Sequence, residues 1–457
     1  MSCIYCFFSK ENQMELKKKC FGNPKYEETL KGYKEIYISE LLKINKIKNC
    51  NCSNIIDIKM GNDKEKIELC YNYFDDFYED IKNNIQRIEE YFDNIIDIYN
   101  TYVKENIHQA YKKMEDFTKD KDKVNLERGT PSASYSNLMF RVRPKGNYNN
   151  NNIKEYFHIP FDKRFLVGNQ RFSLTGRPMI YLASSLQIAL KEIDKNIDEV
   201  NASIFLPSFS YLYPYYLFNI RNDIIDSLDN IISWIEGDSK IEYSSCGYMD
   251  FTLLNSLLNS IFYNILTFPT QNEYKGTFIQ EYVLPQLLTD ILNYHRINYA
   301  GIEYKSTKEY IWEINDNEKH KLESNYCFFI PYSQNSNYNE EFLSKFFFCC
   351  DTSEIISYYK LLDSIHEFKI FKEKLRNEGY NINDLVIHLV VIENHINAMN
   401  KYKGNDYYES KEGKIERTLI YGLINNIISH VNYLKSNDLI KKINPDNYIN
   451  NINVLNS

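Results

Sequence analysis

The sequence predicts an α+β protein, a mixed sheet domain framed by helical segments at both ends. Three observations carry this reading: apolar residues spaced three and four apart before residue 120, a change to short β-rich runs from Leu138, and renewed helical periodicity after about residue 350.

Between Phe77 and Met114 the apolar residues fall at Ile81, Ile85, Ile88, Phe92, Ile95, Ile96, Tyr99 and Val103. That spacing makes one stripe on a single long helix, flanked or opposed by Lys82, Arg87, Glu90 and Lys104, as expected of a bundle element. Alternating charges at Lys119, Asp120, Lys121, Asp122 and Lys123, followed by Gly129, Thr130, Pro131 and Ser132, read as a linker. Strands are expected at 138–142, 179–183, 202–206, 300–304 and 326–330, and the polar run Asn147 to Asn152 as a loop or insertion. Glu354 to Arg376 and Glu416 to Leu434 return to helical spacing. The expected domains are therefore a helical N-terminal part with cysteine pairs (1–125), a mixed domain (135–350) and a helical C-terminal extension (351–457).

The chain's 457 residues, 43% hydrophobic, suffice for two domains with buried cores. A net charge of −8 and a pI near 5.7 give no global basic field, which argues against nucleic acid as a partner. Met1 to Phe8 is too short and too soon followed by charge for a secretory leader, and no apolar run reaches a bilayer span. A cytoplasmic protein is expected, with no membrane partner. Ten cysteines, five of them before residue 53, suit reduced thiols better than a secreted disulfide scaffold.

The richest chemistry lies between His158 and Glu192. Gly176 and Pro178 mark a turn, residues 179–183 a strand, and Ser184-Ser185-Leu186-Gln187 a capping box that opens a helix bearing Glu192. A strand running straight into a helix can bring Arg171, Tyr181 and Glu192 to one cleft. Arg offers a planar fork for a diphosphate, Tyr a stacking face, and Glu a negative charge for a developing oxocarbenium ion. Taken singly, each also has a structural reading: a surface ion-pair partner, a half-buried strand aromatic and a solvated helix carboxylate beside Lys191. His158, before Pro160, reads as structural, and His388 and His395 as packed.

Together these residues resemble the RES family. Arg171 stands in a motif like RF(S/N)xxGxPxxYL, followed by Tyr181 on the strand and Glu192 on the next helix. Arg141, in Phe140-Arg141-Val142-Arg143-Pro144, matches the family's upstream arginine, with Arg143 as the alternative. Ser306, in Gly301-Ile302-Glu303-Tyr304-Lys305-Ser306-Thr307, matches its serine, unless it is a loop serine bonding its own backbone, and Asn325 opens the next strand. The resemblance covers about 195 residues, less than half the chain. The Asn-rich run and the length of 208–281 depart from a minimal RES domain.

What the resemblance implies is a fold related to ADP-ribosyltransferases and cleavage of NAD+ at the nicotinamide–ribose bond, with phosphate or water as acceptor. Several relatives are toxins restrained by an antitoxin. Arg141 and Arg171 are expected to grip the pyrophosphate, Tyr181 to stack near the nicotinamide, Glu192 to stabilise the ribosyl cation or orient the acceptor, and Ser306 and Asn325 to position the substrate. Two rivals share the fold: an ADP-ribosyltransferase acting on a macromolecule, and a binding module without turnover.

Cys3, Cys6, Cys50 and Cys52 form a second constellation, a weak candidate for structural zinc, because the second pair has one intervening residue where zinc ribbons normally have two. Partly buried reduced thiols are the alternative, and Cys349-Cys350 reads as core. No P-loop, Gly-rich dinucleotide fingerprint or His-Glu-x-x-His occurs, nor the close Arg and His on one helix that a helical RNase would need.

Overall fold

The structure, a computed structural model, describes residues 2–119, 137–146, 152–208, 216–220, 224–237, 247–270, 278–294, 299–307, 322–350, 354–404, 406–440 and 442. All of the expected linker, Lys119 to Ser136, except Lys119, and most of the Asn-rich run lie outside them. The chain is α+β, and its residues divide into two compact units that are not continuous in sequence. One comprises Met1–Arg128, Asn169–Leu174 and Asn219–His295; the other comprises Gly129–Gly168, Thr175–Phe218 and Arg296–Ser457.

In chain order the helices are α1 (Ile4–Phe8), α2 (Lys10–Lys18), α3 (Tyr26–Leu41), α4 (Ser53–Met60), α5 (Lys64–Asn83), α6 (Ile85–Lys104), α7 (Ile107–Lys119), α8 (Leu186–Glu192), α9 (Ile224–Gly237), α10 (Gly247–Leu266), α11 (Val283–Tyr294), α12 (Glu340–Leu343), α13 (Tyr358–Asn377), α14 (Asn383–Lys403) and α15 (Lys411–Ser436). All but α8 and α12 to α15 belong to the first unit.

The first unit is held by aromatic packing. Tyr33 meets Tyr37, Phe92 and Phe268 edge-on at centroid separations of 5.7, 5.8 and 5.5 Å, the tilted geometry that ring quadrupoles favour. The single long helix expected through residues 77–114 is instead three helices. Asn84 ends α5 by turning its side-chain Nδ2 onto the Asp80 carbonyl at 2.8 Å, a local bond that competes with the helical ladder. Asn106 then caps α7 through Oδ1, which accepts from the His108 N–H at 2.8 Å. The stripe survives through Ile88, Phe92, Ile95, Ile96 and Tyr99, all buried, but Val103, at the end of α6, is exposed.

The second unit is built on a seven-stranded sheet: β1 (Met139–Pro144), β2 (Met179–Ala183), β3 (Val200–Pro207), β4 (Tyr216–Asn219), β5 (Tyr299–Lys305), β6 (Ser324–Phe329) and β7 (Phe346–Cys350), in the order β4-β5-β6-β2-β1-β3-β7. The five expected strands form at or within two residues of their predicted bounds. β4 and β7 are additional, and β7 carries Cys349, buried, and Cys350, half-buried. The pairs β1–β2, β1–β3, β2–β6, β3–β7 and β5–β6 are antiparallel. At Gly301 a Cβ would stand 2.2 Å from the Cys327 carbonyl oxygen, so only glycine lets β5 lie this close to β6.

Both faces of the sheet are covered, which is why β3 is buried along its whole length. One face carries Phe140, Val142, Ala183, Ala202 and Ile204 against α8 and the C-terminal helices α13 to α15. The helices α13 to α15 thus close this face. The other face packs Met139, Ile180, Leu182, Phe205, Tyr326 and Phe328 with Phe157, Phe342 and Phe346.

Within the helical layer Glu416 of α15 is fully buried and accepts from the Tyr407 hydroxyl at 2.9 Å and the Tyr408 hydroxyl at 3.2 Å, while His395 Nε2 lies 2.9 Å away. Breaking such a buried polar set leaves its partners unmatched, at a cost of about 3 kcal/mol or more. Thermal unfolding of Glu416→Ala should therefore show a clear drop in Tm, and Glu416→Gln, which keeps an acceptor oxygen, a smaller one.

Candidate functional site

The site is placed by a junction between two neighbouring strands. β2 ends at Ala183, and the chain turns at once into α8, whose N-cap Ser185 accepts from the Ile188 N–H. The same Ser185 hydroxyl lies 3.0 Å from the Leu322 carbonyl, as donor to it. Next to it the Ser184 N–H donates to the Ser324 carbonyl at 2.8 Å, and the Ser324 N–H to Ser184 Oγ at 2.9 Å. The start of α8 is therefore tied to the start of β6, and α8 is short enough that its last residue, Glu192, still lies over this edge of the sheet.

There Glu192 meets two donors. Ser306 Oγ and Asn325 Nδ2 each lie 2.7 Å from Glu192 Oε1. Asn325 opposes Ala183 across the β2–β6 ladder, on the face covered by α8, and Ser306 is set by its N–H, which donates to the Glu323 carbonyl. Both donors are buried, while Glu192 is only half-buried. Its second oxygen, Oε2, takes no hydrogen bond from the described residues. One carboxylate oxygen is thus fixed by two donors.

Tyr181 shares the Ala183 and Asn325 face, opposite Cys327, whose thiol lies 3.5 Å from Met179 Sδ. Burial pushes the Cys327 thiol up to about 12, so it is no nucleophile at neutral pH.

Arg141 alternates along β1 with Phe140 and Val142, which pack towards α8, so its side chain goes to the opposite face. There it influences His158, whose Nδ1 lies 2.7 Å from the Ile159 carbonyl and whose Nε2 accepts from the Asn339 N–H at 3.1 Å. With both ring nitrogens used, and its pKa lowered by burial, His158 is a structural imidazole. Arg141 Nη1 is buried with no hydrogen-bond partner among the described residues, and burial, with Arg143 nearby, brings the guanidinium down to about 10. Arg143 pairs with Glu155 at 2.9 Å.

Arg171 belongs to the first unit. Its Nη1 donates to the Leu266 carbonyl at 3.1 Å, and its guanidinium lies 4.9 Å from the centre of the Tyr282 ring. Gln286 Nε2 holds the same segment through the Gln170 carbonyl at 2.8 Å and the Ser173 carbonyl at 3.2 Å. Tyr282 and Gln286 escaped the sequence reading because nothing in their local pattern distinguishes them from ordinary helix and turn residues more than 100 positions away.

The chain is similar to a Bacillus subtilis (strain 168) protein named "Putative toxin YopC", at 26% identity over 262 residues. The match covers 55% of each chain, so it spans about half the length of that relative. No protein-family model matches the chain, and no solved structure matches it. Among the described residues no helix is long and apolar enough to cross a membrane.

A buried guanidinium with an unmatched nitrogen costs the fold more than it returns, and groups of that kind are commonly kept for reasons other than stability. Arg141→Met, which fills similar space without charge, should melt at or above the wild-type temperature. A fall of several degrees would assign Arg141 to the scaffold.

Proposed function

We propose that this chain is a toxin-type enzyme that breaks the nicotinamide–ribose bond of NAD+. The observation that carries the reading is the half-buried Glu192 carboxylate, anchored through Oε1 by Ser306 and Asn325, with Oε2 taking no hydrogen bond from the described residues. The resemblance to the RES family and the similarity to a toxin-named protein support it.

The chemistry asks little of an acid. As the C1″–N bond breaks, its electron pair leaves on nicotinamide, which departs neutral from a cationic ring, and positive charge develops on the ribose. A fixed carboxylate stabilises that oxocarbenium face, and because its position is set in advance it need not reorganise during the reaction. The two donors hold Glu192 in one rotamer. An acceptor oxygen then forms the new C1″–O bond and its proton passes to bulk water. Phosphate is the proposed acceptor, giving ADP-ribose 1″-phosphate, with water as the slower alternative. A protein that drains NAD+ from its own cell needs restraint, so a partner that blocks the site is part of the reading.

Incubation of the purified chain with NAD+, with and without phosphate, and mass identification of the products test this. Phosphate should accelerate NAD+ loss. Glu192→Gln should lower turnover by about 100-fold or more, the scale for removing one preorganised electrostatic group, with little change in Tm. Undiminished turnover in that variant sinks the site assignment; plain ADP-ribose at a phosphate-independent rate makes water the acceptor. Adenylate label on a macromolecule would instead favour a transferase.

A further inference from the structure

The four N-terminal thiols that the proposed chemistry leaves unused come together in the first unit. We infer that Cys3, Cys6, Cys50 and Cys52 form a tetrathiolate site for a single Zn2+ ion. All four Sγ atoms lie within 4.8 Å of one another, with Cys6 Sγ 3.9 Å from Cys3, 3.5 Å from Cys50 and 3.4 Å from Cys52. A tetrahedral ion with Zn–S bonds near 2.3 Å requires sulfurs about 3.8 Å apart along each edge. The observed separations bracket that edge. They are far beyond the roughly 2.05 Å of a disulfide, and too short for several irons to lie between the sulfurs.

The backbone explains how an irregular spacing achieves this. Cys3 is the N-cap of α1 and Cys6 its third residue, so their side chains lie one above the other on one side of the helix. The apolar residues Ile4, Phe7 and Phe8 turn into the core, and Cys6 stays half-exposed. The second pair comes from a turn and not from a strand. A 3-10 turn at Ile47–Asn49 ends on Cys50 in an extended conformation, whereas Cys52 is already helical at the head of α4. This change of backbone conformation brings two thiols one residue apart to the same side. The two segments are joined by a bridge between Cys3 and Asn45 and by the Asn45 N–H, which donates to the Ser2 carbonyl at 2.9 Å. Cys50 and Cys52 are also half-exposed, which leaves an ion a path from solvent. Cys20, in the same unit, is the contrast: its thiol is buried and donates to the Leu16 carbonyl at 3.2 Å.

The function of such an ion is structural. It joins the first helix to the turn before α4, and a closed shell of four thiolates offers no open position for a substrate. The inference is independent of what the second unit does to NAD+.

Metal analysis of the full chain purified without added metal should find about one zinc per chain. Cys6→Ser and Cys50→Ser should each lower zinc content at least tenfold, and Cys20→Ser should leave it unchanged. Replacement with Co2+ should give the visible absorption and sulfur charge-transfer bands of a tetrahedral thiolate complex. Should the serine variants not fold, stepwise mercurial titration of the wild-type chain with a chromogenic chelator present should release the zinc as the cluster thiols react. A chain without stoichiometric zinc, equal zinc in Cys6→Ser, Cys50→Ser and wild type, or a Cys3–Cys6 or Cys50–Cys52 disulfide in the native protein overturns the inference.

Discussion

The serine clasp between the end of β2 and the start of β6 is the constraint on which the second unit's site depends. Ser184 exchanges backbone and side-chain bonds with Ser324, and Ser185 both caps α8 and reaches the Leu322 carbonyl. Two consecutive small hydroxyl residues therefore fix a strand end, a helix start and the register of the neighbouring strand together. A larger residue at either position would part α8 from β6, and with it Glu192 from Asn325. The half-buried carboxylate keeps its orientation because two donors, Asn325 on β6 and Ser306 just past the end of β5, converge on one oxygen.

Much of this was legible in the sequence, for local reasons. The strand at 179–183 and the capped helix after it follow from a turn, a β-rich run and a Ser-Ser pair that need no tertiary context. Asn325 and Ser306 were expected near Glu192 through the family resemblance, and the antiparallel β2–β6 and β5–β6 pairs bring them there. What escaped was decided at a distance. Nothing around Arg141 announces which face of β1 it takes, because that depends on which helices cover Phe140 and Val142. Arg171 lies in a segment of the first unit, where the Leu266 carbonyl at the end of α10 and the Tyr282 ring receive it, partners that no local pattern announces. The break at Asn84 was missed because hydrophobic periodicity continues across it, while the interruption is a side-chain bond to the preceding turn.

The two units differ in what holds them. The first relies on tyrosine and phenylalanine edges, which suits a chain rich in aromatics and poor in small residues. The second relies on a sheet covered on both faces, with a matched polar cluster in its helical layer where Glu416 meets two tyrosines and a histidine. On the other face of the sheet Arg141 is a cation in the interior with one nitrogen unmatched among the described residues.

The interleaving of the two units bears on how the chain comes off the ribosome. The polypeptide passes from one unit to the other five times, and the first does not receive its final segment until His295 has been made. The α8 face of the sheet stays uncovered longer still, since α13 to α15, which cover it, emerge after every strand. A nascent chain of this kind carries its central sheet half-dressed through most of synthesis, exposing apolar strands to chaperones. Glu192 and its two donors are all translated by residue 325, but the layer that steadies their sheet arrives about 100 residues later. Such a topology keeps an incomplete chain from reaching its finished form.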